Sequence, residues 1–416
     1  MSSKTTILQV KNKSLEGLET LLNSKEFIDL SAKDKLDFFK QIDQESNKPI
    51  FIALAAKSIE HLNLLLNNEI LVKTGHDFCF ELVQIKDQNK VNILELASKK
   101  TTITNLEGIL NSKIFKDILN PDDIYTIFAE PNRLGTSSFA LLINQSFQHF
   151  KMLLESQVFK KINEHQAFKL LSLNSDETKT LNSFWNAILK GEEYWDYLFN
   201  SRFLDKLNSK EMSNLLTTHY TEDNGDIPLG YVINHFPEEN LHKFLASKAY
   251  KKLNVDEEYN QYKLQNDNNM TVLDIALNKS PEAFRSLLEC QKCFNILTDE
   301  QKLYLLTTKN NRENLPIVYK ALIVGNEYEN LILNSEVIVS MAQEQKYNLL
   351  HTALHSNINV INDEAPDPEI VDNPERLEIL CNSVVFQSLD LDKQQQLLGH
   401  HLETDHNSKQ LEIRSV

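Results

Sequence analysis

The fold class that this sequence predicts is all-α, an α-solenoid of about nine repeats, each of three helices and close to 44 residues long. One observation leads: a pair of bulky side chains recurs as Leu21-Leu22, Leu65-Leu66, Ile109-Leu110, Leu153-Leu154, Leu198-Phe199, Phe244-Leu245, Leu287-Leu288, Ile332-Leu333 and Leu380-Cys381, in steps of 43 to 48 residues. A period of this size marks a repeat architecture, and the search for repeats precedes any count of domains. Second, the residues around each pair follow a helical period, as in SLEGLETLLNS, where Leu15, Leu18, Leu21 and Leu22 line one face. Third, only nine glycines occur in 416 residues. That scarcity disfavours Gly-rich phosphate loops and Gly-turn β folds.

The helix that bears the pair is the second of its repeat. Ahead of it lies a short helix that is apolar nearly all round, seen in PIFIALAAK (49–57), VNILELASK (91–99), TVLDIALNK (271–279) and LPIVYKALI (315–323). Such a helix is buried between neighbours. Behind the pair, a polar step such as NSKEFIDL leads to capping signatures: Ser31 with Asp34, Asn120 with Asp123, Asn208 with Glu211, Asn254 with Glu257 and Thr298 with Gln301. Those caps open the third helix. A repeat of this kind cannot hide its apolar faces alone and is stable only when stacked on its neighbours.

The array runs from residue 1 to 402 as one continuous body with atypical capping repeats at both ends. An acidic loop spans 357–374, and a polar tail spans 403–416. The formal charge of −16 repels a phosphate backbone, so no nucleic-acid partner is expected, and a basic or neutral protein fits better. No apolar run reaches the roughly 18 residues needed to cross a bilayer, so no membrane insertion is expected. The opening MSSKTTILQVKNK has no secretory pattern, and the four cysteines form no framework, which together point to a reducing, cytoplasmic setting.

The first two helices of the repeat resemble ankyrin repeats. EDNGDIPLGYVI carries Asn224, Gly225, Pro228 and Leu229 where an ankyrin turn and its Thr-Pro-Leu helix start stand, and NNMTVLDIAL and YNLLHTALHS are similar. Ala321 and Ala353 lie 32 residues apart, near the ankyrin period, as if a third helix were missing between them. Most copies lack the turn glycine, and a third helix is foreign to a standard ankyrin unit, so HEAT or armadillo packing is an alternative. Degenerate, Lys/Asn/Ile-rich arrays of this sort look like effectors that intracellular bacteria deliver into host cells. The resemblance therefore implies a scaffold that engages a host or bacterial protein, in a bacterial or host cytoplasm reached without a signal peptide. It carries over no catalytic residue, and neither a cofactor nor a metal site is expected.

Candidate binding residues are Tyr220, Tyr231 and His235 around the best-formed ankyrin-like turn, and Asp363, Glu364, Asp367 and Glu369 on the acidic loop. Trp185, Tyr194, Trp195 and Tyr197 cluster in one repeat, with core the better reading for the tryptophans. Cys290 and Cys293 make a CxxC without the second pair that zinc requires, and Cys293 falls where Phe27 and Phe115 stand in sister repeats. The alternative to a scaffold is an enzyme whose site is assembled across the concave face without any motif.

Overall fold

A computed structural model describes residues 14–99, 103–173, 181–222, 224–290, 293–309, 315–324, 327–355 and 374–404. The chain is mostly helical. Its residues group into two compact units, Met1–Leu215 with Ser247–Ala249, and Leu216–Ala246 with Tyr250–Val416.

All nine apolar pairs lie on second helices, beginning with Leu15–Leu22, Ile59–Asn67, Thr104–Asn111, Phe147–Glu155 and Glu192–Phe199. Every member is buried except Cys381, which is half-buried. First helices such as Ile50–Ala55, Ser138–Gln145, Ser183–Leu189 and Val272–Lys279 are buried around most of their circumference. The expected caps form in full at Asn120 with Asp123, Asn254 with Glu257, and Thr298 with Gln301. In the first repeat Ser31 accepts from the Asp34 N–H, and in the fifth Asn208 accepts from the Glu211 N–H.

The three-helix repeat needs one correction. The polar step after each pair is itself a helical turn, as in Lys25–Ile28, Glu69–Lys73, Gln157–Lys161, Tyr250–Lys252 and Val384–Gln387. Its logic is local. The Ser of the step caps the turn: Ser24, Ser156 and Ser383 accept from the N–H groups of Phe27, Phe159 and Phe386. The preceding Asn reaches one repeat onward. Asn67 accepts from the Lys113 N–H at 2.8 Å and Asn200 from the Lys248 N–H at 3.2 Å in the first unit, and Asn334 accepts from the Val384 N–H at 2.9 Å in the second.

Between the third helix of one repeat and the first helix of the next, the chain turns back through a short β-bridge. Ile42–Asp43 pairs with Lys48–Pro49, and single bridges join Pro131 with Ser137, Tyr220 with Asp226, Gln265 with Thr271 and Lys309 with Pro316. Left-handed residues mark these turns at Asn47, Lys90, Gly135, Asn224, Gly225 and Asn269. Asn largely replaces the glycine such turns favour, because its side chain tolerates this conformation. Asp43, Asp87, Asn132 and Asn266 open four of them by accepting backbone N–H groups two to four residues ahead.

A second correction concerns Ala321 and Ala353. No helix is missing between them. Gln343–His355 is a third helix that continues through YNLLHTALH without a hairpin, and it packs on both Asp299–Thr307 and Ile317–Val324. Ala321 lies on a first helix and Ala353 on this third helix, so the 32-residue spacing does not join equivalent positions. The last helix, Leu391–Thr404, runs two residues past the expected start of the tail. The lead-in at 1–13, the acidic segment up to residue 373 and residues 405–416 lie outside the described residues.

Candidate partner-binding surface

In the second unit the turn at 220–226 is built by two consecutive left-handed residues, Asn224 at φ 51° and Gly225 at φ 66°. This is the Asn-Gly pattern of a tight hairpin. The Tyr220 N–H donates to the Asp226 carbonyl at 2.9 Å, and His219 Nδ1 donates to the Gly225 carbonyl at 2.6 Å. Glycine suits 225 through its left-handed φ, and a Cβ there would also lie 2.4 Å from the exposed Asp267 carboxylate, which would have to swing aside. The next turn lies against this one: the Asp267 N–H donates to the Asn224 carbonyl at 2.7 Å and Asn268 Nδ2 to Asn224 Oδ1 at 3.0 Å.

Asp226 anchors the arrangement. It is fully buried, and its two carboxylate oxygens each accept a 2.7 Å bond, from Asn266 Nδ2 and from Asn234 Nδ2. That ties the turn to the helix Pro228–His235 and to the neighbouring turn. Pro228 opens the helix at a position where no N–H partner is needed. Four residues apart on that helix, Tyr231 and His235 share a face, and their rings stack with centroids 4.1 Å apart. Tyr220 meets Tyr231 edge-on at 6.0 Å, and Phe236 joins at 6.2 Å. The Tyr220 hydroxyl donates to Glu222 at 3.2 Å.

The structure therefore brings Tyr220, Tyr231 and His235 together in one aromatic cluster. Tyr220, Tyr231 and Phe236 are half-buried and His235 is exposed. Sequence reading missed Phe236, which follows the helix end directly and shares no period with the others. Asp363, Glu364, Asp367 and Glu369 lie outside the described residues.

Of the other aromatic candidates, Trp185 and Trp195 belong to the core of the first unit. Tyr194 and Tyr197 are half-buried and pack on Phe147 and Phe150 of the preceding second helix. Tyr197 donates to Glu155 at 2.7 Å, while burial above all, with help from Glu155, holds its hydroxyl far above the ordinary tyrosine range. Cys293 is fully buried like Phe27 and Phe115. Its pairing was not expected: Cys290 and Cys293 are joined by a disulfide, their Cα atoms 5.1 Å apart across the turn, within bridging range. Among the described residues, no three His, Cys, Asp or Glu side chains gather as a metal site, and no helix is long and apolar enough to cross a membrane.

No protein-family model matches this chain, and neither a curated protein nor a solved structure matches it.

Proposed function

We propose that each unit is an α-solenoid segment of degenerate ankyrin-like repeats, and that the chain is a scaffold which binds another protein. The observation that carries this reading is the aromatic cluster of Tyr220, Tyr231, His235 and Phe236, set at one turn and locked beneath by Asp226. Aromatic side chains that are partly open and held by rigid backbone are favoured anchors for a protein partner, because little conformational freedom is lost on binding. Supporting the ankyrin-like part is the recurring sequence of bridge, left-handed turn residue and paired helices. Glu222 beside the cluster and the net charge of −16 favour a basic or neutral protein over a nucleic acid. On this reading the chain acts in a cytoplasm, as a bacterial effector or a regulator of one.

The test compares the immobilised intact chain with its Tyr231→Ala variant, using bacterial and host lysates and identifying captured proteins by mass spectrometry. A protein held by the first and lost from the second, with the helical circular dichroism of both unchanged, is the expected result. Capture that is equal for the two chains, or absent from both, overturns the proposal.

A further inference from the structure

The fourth residue after the N-cap is an equivalent position in every third helix, and in five copies it bonds to the short helical turn that precedes it. The row reads Lys35, Cys79, Ile124, Ala167, Met212, Glu258, Lys302, Lys346 and Gln394. Four of these side chains donate to that turn. Lys35 Nζ donates to the Ile28 carbonyl at 3.0 Å, Lys346 Nζ to the Val339 carbonyl at 3.2 Å, and Gln394 Nε2 to the Phe386 carbonyl at 3.2 Å. Cys79 Sγ lies 3.6 Å from the Leu71 carbonyl in the same role. The carbonyls at the end of a helical turn require donors, and in these four copies the row supplies one.

Glu258 is the one acid in the row. It is 1 % exposed, on the helix Val255–Lys263, and Tyr250 of the preceding turn donates its hydroxyl to Glu258 Oε1 at 2.6 Å. No lysine, arginine or histidine forms an ion pair with it among the described residues. One turn along, Gln261 is fully buried and its amide makes no hydrogen bond to Glu258, which leaves the Tyr250 hydroxyl as the donor that the carboxyl meets. As a carboxylate, Glu258 would be a buried charge with no cation beside it and the Tyr250 hydroxyl to meet it. As a carboxylic acid it fits, having a proton to give and an oxygen that accepts from Tyr250.

We propose that Glu258 is a built-in pH switch of the second unit: neutral in the packed state, and on ionisation loosening the helix Val255–Lys263 from the turn Tyr250–Lys252. The surrounding groups leave it nothing to pair with. From the turn, Tyr250 faces it, and Lys251 and Lys252 form no ion pair with it; on its own helix, Lys263 lies over the Tyr259 and Tyr304 rings, and Tyr262 is fully buried and donates to the Leu287 carbonyl at 3.3 Å. On the packed helix Val272–Lys279, Asp274 is held in a capping box with Thr271, and Lys279 is bonded to the Asn234 carbonyl. On Asp299–Thr307, Lys302 pairs with Asp299, Tyr304 packs on Tyr259, and Glu300 shows no pairing with Glu258; the packed turn Phe294–Ile296 carries no ionisable side chain. Burial, the dominant cause, lifts the Glu258 carboxyl to about 8 from an ordinary 4.5, and the Tyr250 hydrogen bond pulls the other way.

The sign follows. A carboxyl whose folded value is raised stabilises the packed state fully below its ordinary value, and this contribution is lost as pH rises towards about 8. Hydrogen exchange of the amides of Val255–Lys263, measured on the intact chain and corrected for the intrinsic pH dependence of exchange, reads the effect directly. Protection is expected to fall by up to about tenfold per pH unit between pH 5 and 8, and to stay level in Glu258→Gln, which keeps the shape and removes the ionisation. Tyr250→Phe provides a second arm if the glutamine variant fails to fold. It retains the acid, so its protection still falls with pH, with the midpoint moved upward. Protection that is independent of pH in the native chain, or that falls equally in Glu258→Gln, overturns the proposal.

Discussion

The two units solve the same problem with different atoms. Apart from Lys35, which donates to its own turn, the first unit fills the third-helix row with a thiol, Cys79, and three apolar side chains, Ile124, Ala167 and Met212. The turn carbonyls are then met from one repeat further on. Lys161 Nζ donates to the carbonyls of Phe115, Lys116 and Leu119, and Lys206 Nζ to those of Phe159, Lys160 and Ile162. In the second unit the row itself is polar, with Glu258, Lys302, Lys346 and Gln394, and two of its members serve the turns directly. What is fixed in this fold is that the carbonyls be met. Which side chain meets them is free, so one structural position can be apolar, basic or acidic.

The largest effect expected from probing this contrast is at the apolar pole. Phe159 is 1 % exposed and meets Phe128, Phe139 and Phe203 at centroid distances of 4.8, 5.8 and 5.6 Å. Phe159→Ala is expected to lower stability by about 4 kcal/mol in chemical denaturation. Next are the lysines. Lys206→Met and Lys346→Met each leave a turn without its donor and are expected to cost about 2 kcal/mol. A loss from only one of the two would break the equivalence of the two solutions. Tyr250 occupies the position of Phe159 in its own turn, and Tyr250→Phe keeps the ring while removing one hydrogen bond, an expected loss of about 1 kcal/mol by thermal denaturation at pH 6.

The smallest effect belongs to His76, whose ring bonds Asp77 at 3.0 Å and Asp123 at 2.7 Å. These carboxylates, Asp77 first, hold its pKa above the ordinary 6.5. The charged ring therefore stabilises the fold at pH 6, and that contribution is lost as pH rises through the raised value. Because the side chain is 41 % exposed, solvent screens the pairing and the change in stability is small. An NMR titration of the ring is the measurement, and a midpoint at or below 6.5 would count against the two bonds.

How much of this was legible in the sequence depended on whether a signal repeats. The nine apolar pairs stood out because burial demands the same residue type at the same place in every copy. The third-helix caps stood out because Ser, Asn and Thr at that point have few other uses. A turn of three to five residues, such as Leu204–Lys206, is too short to show a period and read as a polar step. The continuous helix Gln343–His355 is not legible in the sequence because its Leu350, Ala353 and Leu354 imitate a first helix at close to the ankyrin spacing from Ala321. At the aromatic cluster, the Asn-Gly turn pointed to Tyr220, Tyr231 and His235, while Phe236 had no pattern to announce it. Glu258 was invisible for another reason: an acid in the first turn of a helix is ordinarily a solvated one, and only packing reveals that this one is enclosed.

The bonds from Asn67 to Lys113, from Asn200 to Lys248 and from Asn334 to Val384 tie the end of one second helix to the start of a turn in the following copy. A gene that lengthens by a complete duplicated module hands every such asparagine a fresh backbone amide of the right kind. An insertion of five codons inside a helix would instead rotate each downstream group away from its mate. Growth and shrinkage of this chain over evolutionary time should accordingly proceed in whole modules, with smaller length changes confined to the hairpins.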